Sequence, residues 1–447
     1  MPALRRLPVV ADMTLVTAGA MTANIAGYLL QLLAGRWLGV TGYSAFASLL
    51  AVQLLAAVPA LALQNVVARE LVRGAAVATV RGLTRRCAMI VAVVALALVP
   101  AVAVLLHVSA VAAGGALIAA PVLVLLSGEQ GILQGTNRFR SLATVLGGSA
   151  IARVAPALIA LAVGAGAATA LWCAALGLLV ATTAANRISR IALSATDAGS
   201  TPLPSSAAEV AQTPVEVARA PAEVRSTGAR IGAARAADVA AVLRAAQVQA
   251  ALMALSSADL IVARVVLGEA DASRYALGAI ATKIAFWLPQ AVGVVLYPRM
   301  AQPQHSVRAL RSALGVLAAV GLVAVAGAAV LAPLAPLFAG RDYAPIQDLL
   351  WLFALAGALL AVLQGALLSA IAADRTAPAA VIWAGLAVEV GVAVPFVRSL
   401  PALIALATAI VAVVTTLVVT VVIRTVRRDP GATNIAVREK LSPLPAE

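Results

Sequence analysis

Charge is scarce in this sequence. Asp, Glu, Lys and Arg make up 11% of its 447 residues and aromatic residues 4%, where a water-soluble domain carries about 25% charged residues. A chain so poor in polar groups cannot stay soluble on its own, which excludes an ordinary globular enzyme or soluble binding domain. Lysine is nearly missing, found only at Lys283 and Lys440; the other basic residues are all Arg, a compositional bias of the source. The two histidines, His107 and His305, and the two cysteines, Cys87 and Cys173, form no zinc-type cluster and no disulfide framework. Both cysteines fall in apolar stretches and read as small buried apolar residues. The sequence has no Walker loop, no nucleophile elbow and no cofactor-binding pattern. Enzyme signals are therefore poor.

What is abundant is apolar length. Hydrophobic residues reach 63% and the mean hydropathy is +1.02. Runs of 18 or more apolar residues recur along the chain, enough to cross a hydrocarbon core of ~30 Å. Backbone groups in lipid must be satisfied internally, so such a segment is a helix or part of a closed barrel. These runs are continuous and rich in Ala, Leu and Val, without the alternation of a barrel strand. The sequence predicts an all-α polytopic membrane protein with about twelve transmembrane helices. They run roughly over 12–35, 43–67, 87–106, 110–135, 141–163, 167–185, 238–262, 274–298, 310–332, 345–371, 377–397 and 401–423. Arg5 and Arg6 before an apolar stretch mimic a signal peptide, but Asp12 interrupts it and hydrophobicity runs on to Leu33. The first span reads as uncleaved.

The net charge of +14 reads as topology rather than as a nucleic-acid surface. On this map 24 of the 32 basic residues fall on one side of the membrane and five on the other. By the positive-inside rule both termini are cytoplasmic. One long polar segment, 186–237, is rich in Ala, Pro, Ser, Thr, Glu and Arg and lacks apolar periodicity, the composition of a mostly disordered cytoplasmic linker. It separates an N-terminal six-helix lobe, 1–185, from a C-terminal one, 238–423. A short basic cytoplasmic tail, 424–447, follows and reads as lying near anionic headgroups.

The two halves echo each other. Arg36-Trp37-Leu38-Gly39, then Tyr43, Pro59 and Arg69, recurs as Arg264-Val265-Val266-Leu267-Gly268, then Tyr275, Pro289 and Arg299. Each copy reads as helix, short outer turn at Leu-Gly, a helix with a proline inside it, then a cytoplasmic Arg. Repeats in the same orientation are related by an axis along the membrane normal and enclose a central cavity.

These stretches resemble a known family. LLAGRWLGVTGYSAFASLLA (32–51) is similar to the first hairpin of bacterial polysaccharide and oligosaccharide flippases of the multidrug/oligosaccharidyl-lipid/polysaccharide (MOP) superfamily. SSADLIVARVVLGEADASRYALGAIATKIAFWLPQAVGVVLYPRMA (256–301) resembles that family's seventh and eighth helices more closely, and GILQGTNRFRSLA (131–143) its fourth-to-fifth helix junction. The middle segment is longer than the family leads one to expect. The resemblance implies a V-shaped, MATE-like transporter of two lobes that moves a lipid-linked saccharide by alternating access. Its partners would be that substrate, membrane lipids and proteins of polysaccharide synthesis, with no nucleic acid.

Intramembrane charges are costly and usually face the protein interior. Lys283, on the helix that the resemblance places beside the cavity, is either a phosphate ligand or the counter-ion of a nearby carboxylate. Arg153 is a second phosphate candidate, or the partner of Glu129. Arg36 and Arg264 close the outer ends of the first and seventh helices, and either guard the mouth or snorkel to headgroups. Asp259 stands where the family pattern has its seventh-helix Asp; it either titrates during transport or pairs with Lys283 or Arg264. Glu129 and Glu389 are coupling candidates or satisfied internal hydrogen-bond acceptors. Asn24, Gln31, Gln53, Gln64, Gln247, Gln249 and Gln290 supply uncharged polar atoms for a sugar-binding lumen or for interhelical bonds. Pro59 and Pro289 are hinge candidates, or static bends. The rival expectations are an H⁺- or Na⁺-coupled multidrug exporter of the same superfamily and, from another class, a membrane scaffold for envelope-polysaccharide synthesis. A membrane glycosyltransferase ranks below these, because all outer loops are short.

Overall fold

The computed structural model describes residues 7–197, 247–300, 306–372 and 377–428. Among them every regular element is a helix. In chain order these are α1 (Leu7–Ala56), α2 (Val58–Val72), α3 (Val77–Leu106), α4 (Ala110–Leu117), α5 (Ala119–Gly135), α6 (Phe139–Ala162) and α7 (Ala167–Asp197). Then come α8 (Gln247–Leu255), α9 (Ala258–Val266), α10 (Glu269–Met300), α11 (Ser306–Leu331), α12 (Ala335–Ala339), α13 (Leu350–Ala372), α14 (Ala377–Phe396) and α15 (Leu400–Arg428). Short 3₁₀ turns at Ala332–Leu334 and Arg341–Leu349 link α11 to α13.

Nine of the described helical segments are long and apolar enough to cross a membrane, or ten if the bent pair α8–α9 counts as one span. The chain is a multi-pass α-helical membrane protein. Twelve expected spans reconcile with that number in two ways. The first candidate, Leu15–Val72, is 58 residues long and holds two expected spans, broken at Gly39 (φ 63°, ψ −175°). That left-handed φ suits a residue without Cβ, and it turns the chain where the Leu-Gly motif predicts. The eighth expected span lies in α10.

Two boundaries move. α3 begins at Val77, upstream of the expected 87, so Arg81, Arg85 and Arg86 are helical rather than loop residues. α7 runs on to Asp197, so the first part of the expected linker is helix; its remainder, like the tail beyond Arg428, lies outside the described residues. The helix extends beyond the apolar span because Arg81 meets a buried partner, Glu129.

Close approach holds the N-terminal half together. A Cβ on Gly131 would stand 2.6 Å from the Gln64 carbonyl oxygen, and one on Gly135 2.8 Å from that of Ala68. α5 therefore rides on α2 through small residues, the contact that works in lipid where no hydrophobic drive exists between helices. In the C-terminal half Gly357 of α13 is as close to the Thr282 backbone of α10.

One face of the bundle carries the Gly39 turn, the His107 turn and the α9–α10 turn; the other carries the clustered arginines. At the Gly39 face a single buried cluster joins both halves, with Tyr43, Phe46 and Leu49 of α1 beside Tyr275, Ile280 and Phe353. Towards the arginine-rich face the buried clusters separate. Two belong to the N-terminal half; a third belongs to the C-terminal half, with only Leu54, Leu55 and Val58 of the other half packed against it. The halves thus meet mainly through α1 against α9 and α10.

Candidate functional site

Helix geometry brings the sequence candidates to three levels along that seam. At the Gly39 face, Arg264 at the end of α9 is buried, its side chain 7% exposed. It donates to the Leu106 carbonyl at 3.1 Å and to Ser44 Oγ at 2.8 Å, and pairs with Glu269 at 3.2 Å. Ser44 N donates to Ser273 Oγ at 2.8 Å, and the Tyr343 hydroxyl to the Gly35 carbonyl at 3.1 Å. Arg36, exposed, donates to the Leu337 carbonyl at 3.2 Å. Both repeat-related arginines therefore cross between halves. Arg264 does not snorkel: a buried guanidinium needs its donors satisfied, and three groups satisfy them here.

One level further in, Lys283 Nζ of α10 donates to Gln31 Oε1 of α1 at 3.1 Å. The Tyr28 hydroxyl donates to the Lys283 carbonyl at 3.2 Å. Lys283 lies within electrostatic reach of Asp259 and of Arg153. Arg153 of α6 donates through Nη2 to Gln53 Oε1 at 3.0 Å, while its buried Nε has no partner. Two cations thus approach each other beside the interface, each held by a neutral glutamine rather than by a direct ion pair.

Asp259 is buried and accepts from the Tyr275 hydroxyl at 2.9 Å and from Leu260 N at 2.8 Å. Glu389 on α14 is 1% exposed, interacts electrostatically with Asp259, and neither of its carboxylate oxygens has a hydrogen-bond partner. The Thr408 hydroxyl on α15 is equally unpartnered. The reading of Glu389 as a satisfied acceptor is thereby corrected.

Glu129 is the opposite case. Its partner is Arg81, bound through two nitrogens at 3.1 Å each, and not Arg153. Asn186 Nδ2 donates to it at 2.8 Å and Ser189 Oγ adds a short hydrogen bond. Sequence reading missed Arg81, Asn186 and Ser189 because it placed the first in a loop. The signal that finds Arg81 is the buried row Val80, Thr84, Ala88, a helical stripe that runs past it.

The uncharged candidates disperse. Gln64 donates to Gln134 at 3.1 Å within the N-terminal half, Asn24 and Gln249 are partly buried, and Gln247 is exposed. Pro59 sits in the first turn of α2, just past the break at Ala57. The side chains of Pro289 and Gln290 lie outside the described residues, although α10 runs through both.

Solved structures share this helical fold. A structure described as the lipid II flippase MurJ in an inward closed conformation matches 92% of this chain over 87% of its own, with 13% identity and a TM-score of 0.65. An inward-facing multidrug resistance MATE family transporter of the MOP superfamily follows at 14% identity, 94% and 96% coverage and a TM-score of 0.57. A MATE transporter from Vibrio cholerae gives 13%, 94%, 98% and 0.55. No family model matches the chain, and no curated protein matches it. The chain shares its fold with these transporters.

Proposed function

We propose that the protein is a flippase that moves a lipid-linked oligosaccharide, or a related cell-envelope precursor, across the cytoplasmic membrane of a bacterium. Its lobes, 1–185 and 238–423, rock about the α1–α10 seam, with both termini cytoplasmic. The observation that carries this reading is the cation pair Lys283 and Arg153, placed at the seam below the Gly39-face contacts. Two cations within electrostatic reach of each other and of one carboxylate, Asp259, leave a net positive charge in a low-dielectric interior, which attracts a further anion. A lipid phosphate supplies that anion, and Arg153's free Nε is a ready donor to it. Gln31 and Gln53 hold the cations directly, and Asp259, within electrostatic reach of Lys283, offsets only one of the two charges. Asp259 and Glu389 are the coupling groups in this scheme. Arg264 and Arg36 form the outer gate, and Pro59 and Pro289 flex as the lobes move.

The test is to measure the leaflet distribution of lipid-linked saccharide in a deletion strain carrying wild type, Lys283→Ala or Arg153→Ala. Accumulation at the cytoplasmic face, relieved by wild type and not by the variants, is the expected outcome. Normal distribution in the deletion strain, with no second flippase expressed, defeats the proposal.

A second reading has its own observation. The Asp259–Glu389 pair inside the C-terminal half is an acidic site of the kind an H⁺- or Na⁺-coupled exporter of organic cations needs. Drug accumulation that rises in the deletion strain, with unchanged precursor pools, selects it.

A further inference from the structure

A cavity far from the seam has no part in the proposed transport. It holds about 240 Å³ and is lined by Arg81, Thr84 and Arg85 of α3, Leu125 and Glu129 of α5, and Leu179, Thr182, Thr183 and Asn186 of α7. That is smaller than the ~300–1,000 Å³ of sites for drug-sized ligands, and suits a headgroup rather than a whole solute. Arg81 is fixed in place by Glu129 and Ser189. Arg85 is exposed and has no hydrogen-bond or ion-pair partner among the described residues. Two guanidinium groups against one carboxylate leave the wall with one net positive charge.

Depth and flanks complete the description. From Leu106 back to Arg85 is about 32 Å of helix, and from Ala167 to Thr183 about 24 Å. The cavity therefore lies at the far edge of a ~30 Å hydrocarbon core, at the arginine-rich end. On the membrane side the two helices present exposed apolar residues next to it. Met89, Ile90 and Val93 of α3 are 66%, 64% and 68% exposed, and Leu176 and Val180 of α7 58% and 65%. A mostly apolar cavity with two arginines in its wall thus opens at headgroup depth beside an apolar track one acyl chain can follow.

We infer that this cavity binds the headgroup of an anionic glycerophospholipid carrying one phosphodiester. Arg85 meets the phosphate, the exposed Thr183 hydroxyl, which donates to the Val180 carbonyl, accepts from a headgroup hydroxyl, and the tails lie along α3 and α7. The single negative charge of the phosphodiester matches the single net positive charge of the wall. The site is distinct from the Lys283–Arg153 pair and stands whichever substrate the protein moves.

The full chain, purified and delipidated, is titrated with phosphatidylglycerol, phosphatidylethanolamine or inorganic phosphate, and bound lipid is counted by native mass spectrometry. Phosphatidylglycerol should bind more tightly than phosphatidylethanolamine. Arg85→Gln should weaken it about fivefold, the worth of one basic residue at a membrane surface. Thr183→Trp, which fills the cavity from an exposed position, should weaken it as much or more, and Lys283→Ala should leave it unchanged. Binding that changes less than twofold in both Arg85→Gln and Thr183→Trp overturns the inference. So does binding lost only in Lys283→Ala, which assigns the lipid to the seam, or displacement by inorganic phosphate at modest excess, which makes this a free-phosphate site.

Discussion

Glu129 and Glu389 are both buried glutamates on transmembrane helices, one in each half, yet their surroundings differ completely. Glu129 accepts from a bidentate arginine, an amide and a hydroxyl, so its charge is spread over a fixed network. Glu389 has 1% of its surface exposed and no donor on either oxygen, with a second carboxylate, Asp259, as its electrostatic neighbour. A buried acceptor left unsatisfied costs about 1–3 kcal/mol and more if charged. The N-terminal half uses its carboxylate as a structural tie. The C-terminal half keeps one that nothing in the fold requires, the arrangement expected where burial serves function at the expense of stability.

Substitutions that remove the tie should show the largest effect. Arg81→Ala strands Glu129 in the interior and should cost about 3–5 kcal/mol, read as a lowered unfolding midpoint in detergent. The double variant Arg81→Met with Glu129→Leu should recover most of it, since an ion pair replaced whole is often neutral. A single variant no worse than the double would remove the distinction between the two glutamates.

The opposite sign is expected next. Glu389→Leu deletes a buried carboxyl group without a hydrogen-bond partner and should stabilise the protein by about 1–3 kcal/mol while abolishing transport. Destabilisation by Glu389→Leu would mean that the residue is a structural tie after all. Smaller still is Gln31→Leu, which removes the Lys283 bond across the seam. Interhelical hydrogen bonds in membranes average about 0.6 kcal/mol and reach about 1.7. Hydrogen exchange should therefore quicken in α1 and α10 near Lys283, whereas Gln64→Leu, whose bond to Gln134 lies within one half, should leave that region unchanged.

Much of this architecture was legible in sequence, for reasons that also mark where legibility stopped. Apolar length is a bulk property, so the spans followed from solvent physics, and the Gly39 turn from the Leu-Gly motif. The Leu-Gly and Tyr echoes fall at the seam, on or beside α1 and α10. Pairing was not legible. Arg81 looked like one more topology charge, since nothing local says that a residue 48 positions along the chain will turn a carboxylate towards it. Arg264 looked like a snorkelling end residue, but its acceptors, Ser44 and Leu106, come from the other half. The headgroup-sized cavity needed three helices in register before it existed at all.

The finest version of the comparison lies in the repeat-related tyrosines. Tyr43 and Tyr275 are each 0% exposed, and they hold equivalent places four and seven residues beyond the Leu-Gly turns at Gly39 and Gly268. Tyr275 donates to Asp259 at 2.9 Å; the Tyr43 hydroxyl has no partner. Removing a hydroxyl that makes a bond costs that bond and leaves Asp259 with one donor fewer. Removing an unpartnered one relieves a desolvated dipole. Tyr275→Phe should therefore lower stability by about 0.6 kcal/mol, and Tyr43→Phe should be neutral or slightly stabilising. If both substitutions cost the same in one unfolding assay, the two halves handle buried polar groups alike and Asp259 does not depend on Tyr275. Unequal costs in the stated order tie the difference to the carboxylate. Asp259→Asn should then shrink the gap, because an amide accepts from Tyr275 less strongly than a charged carboxylate does.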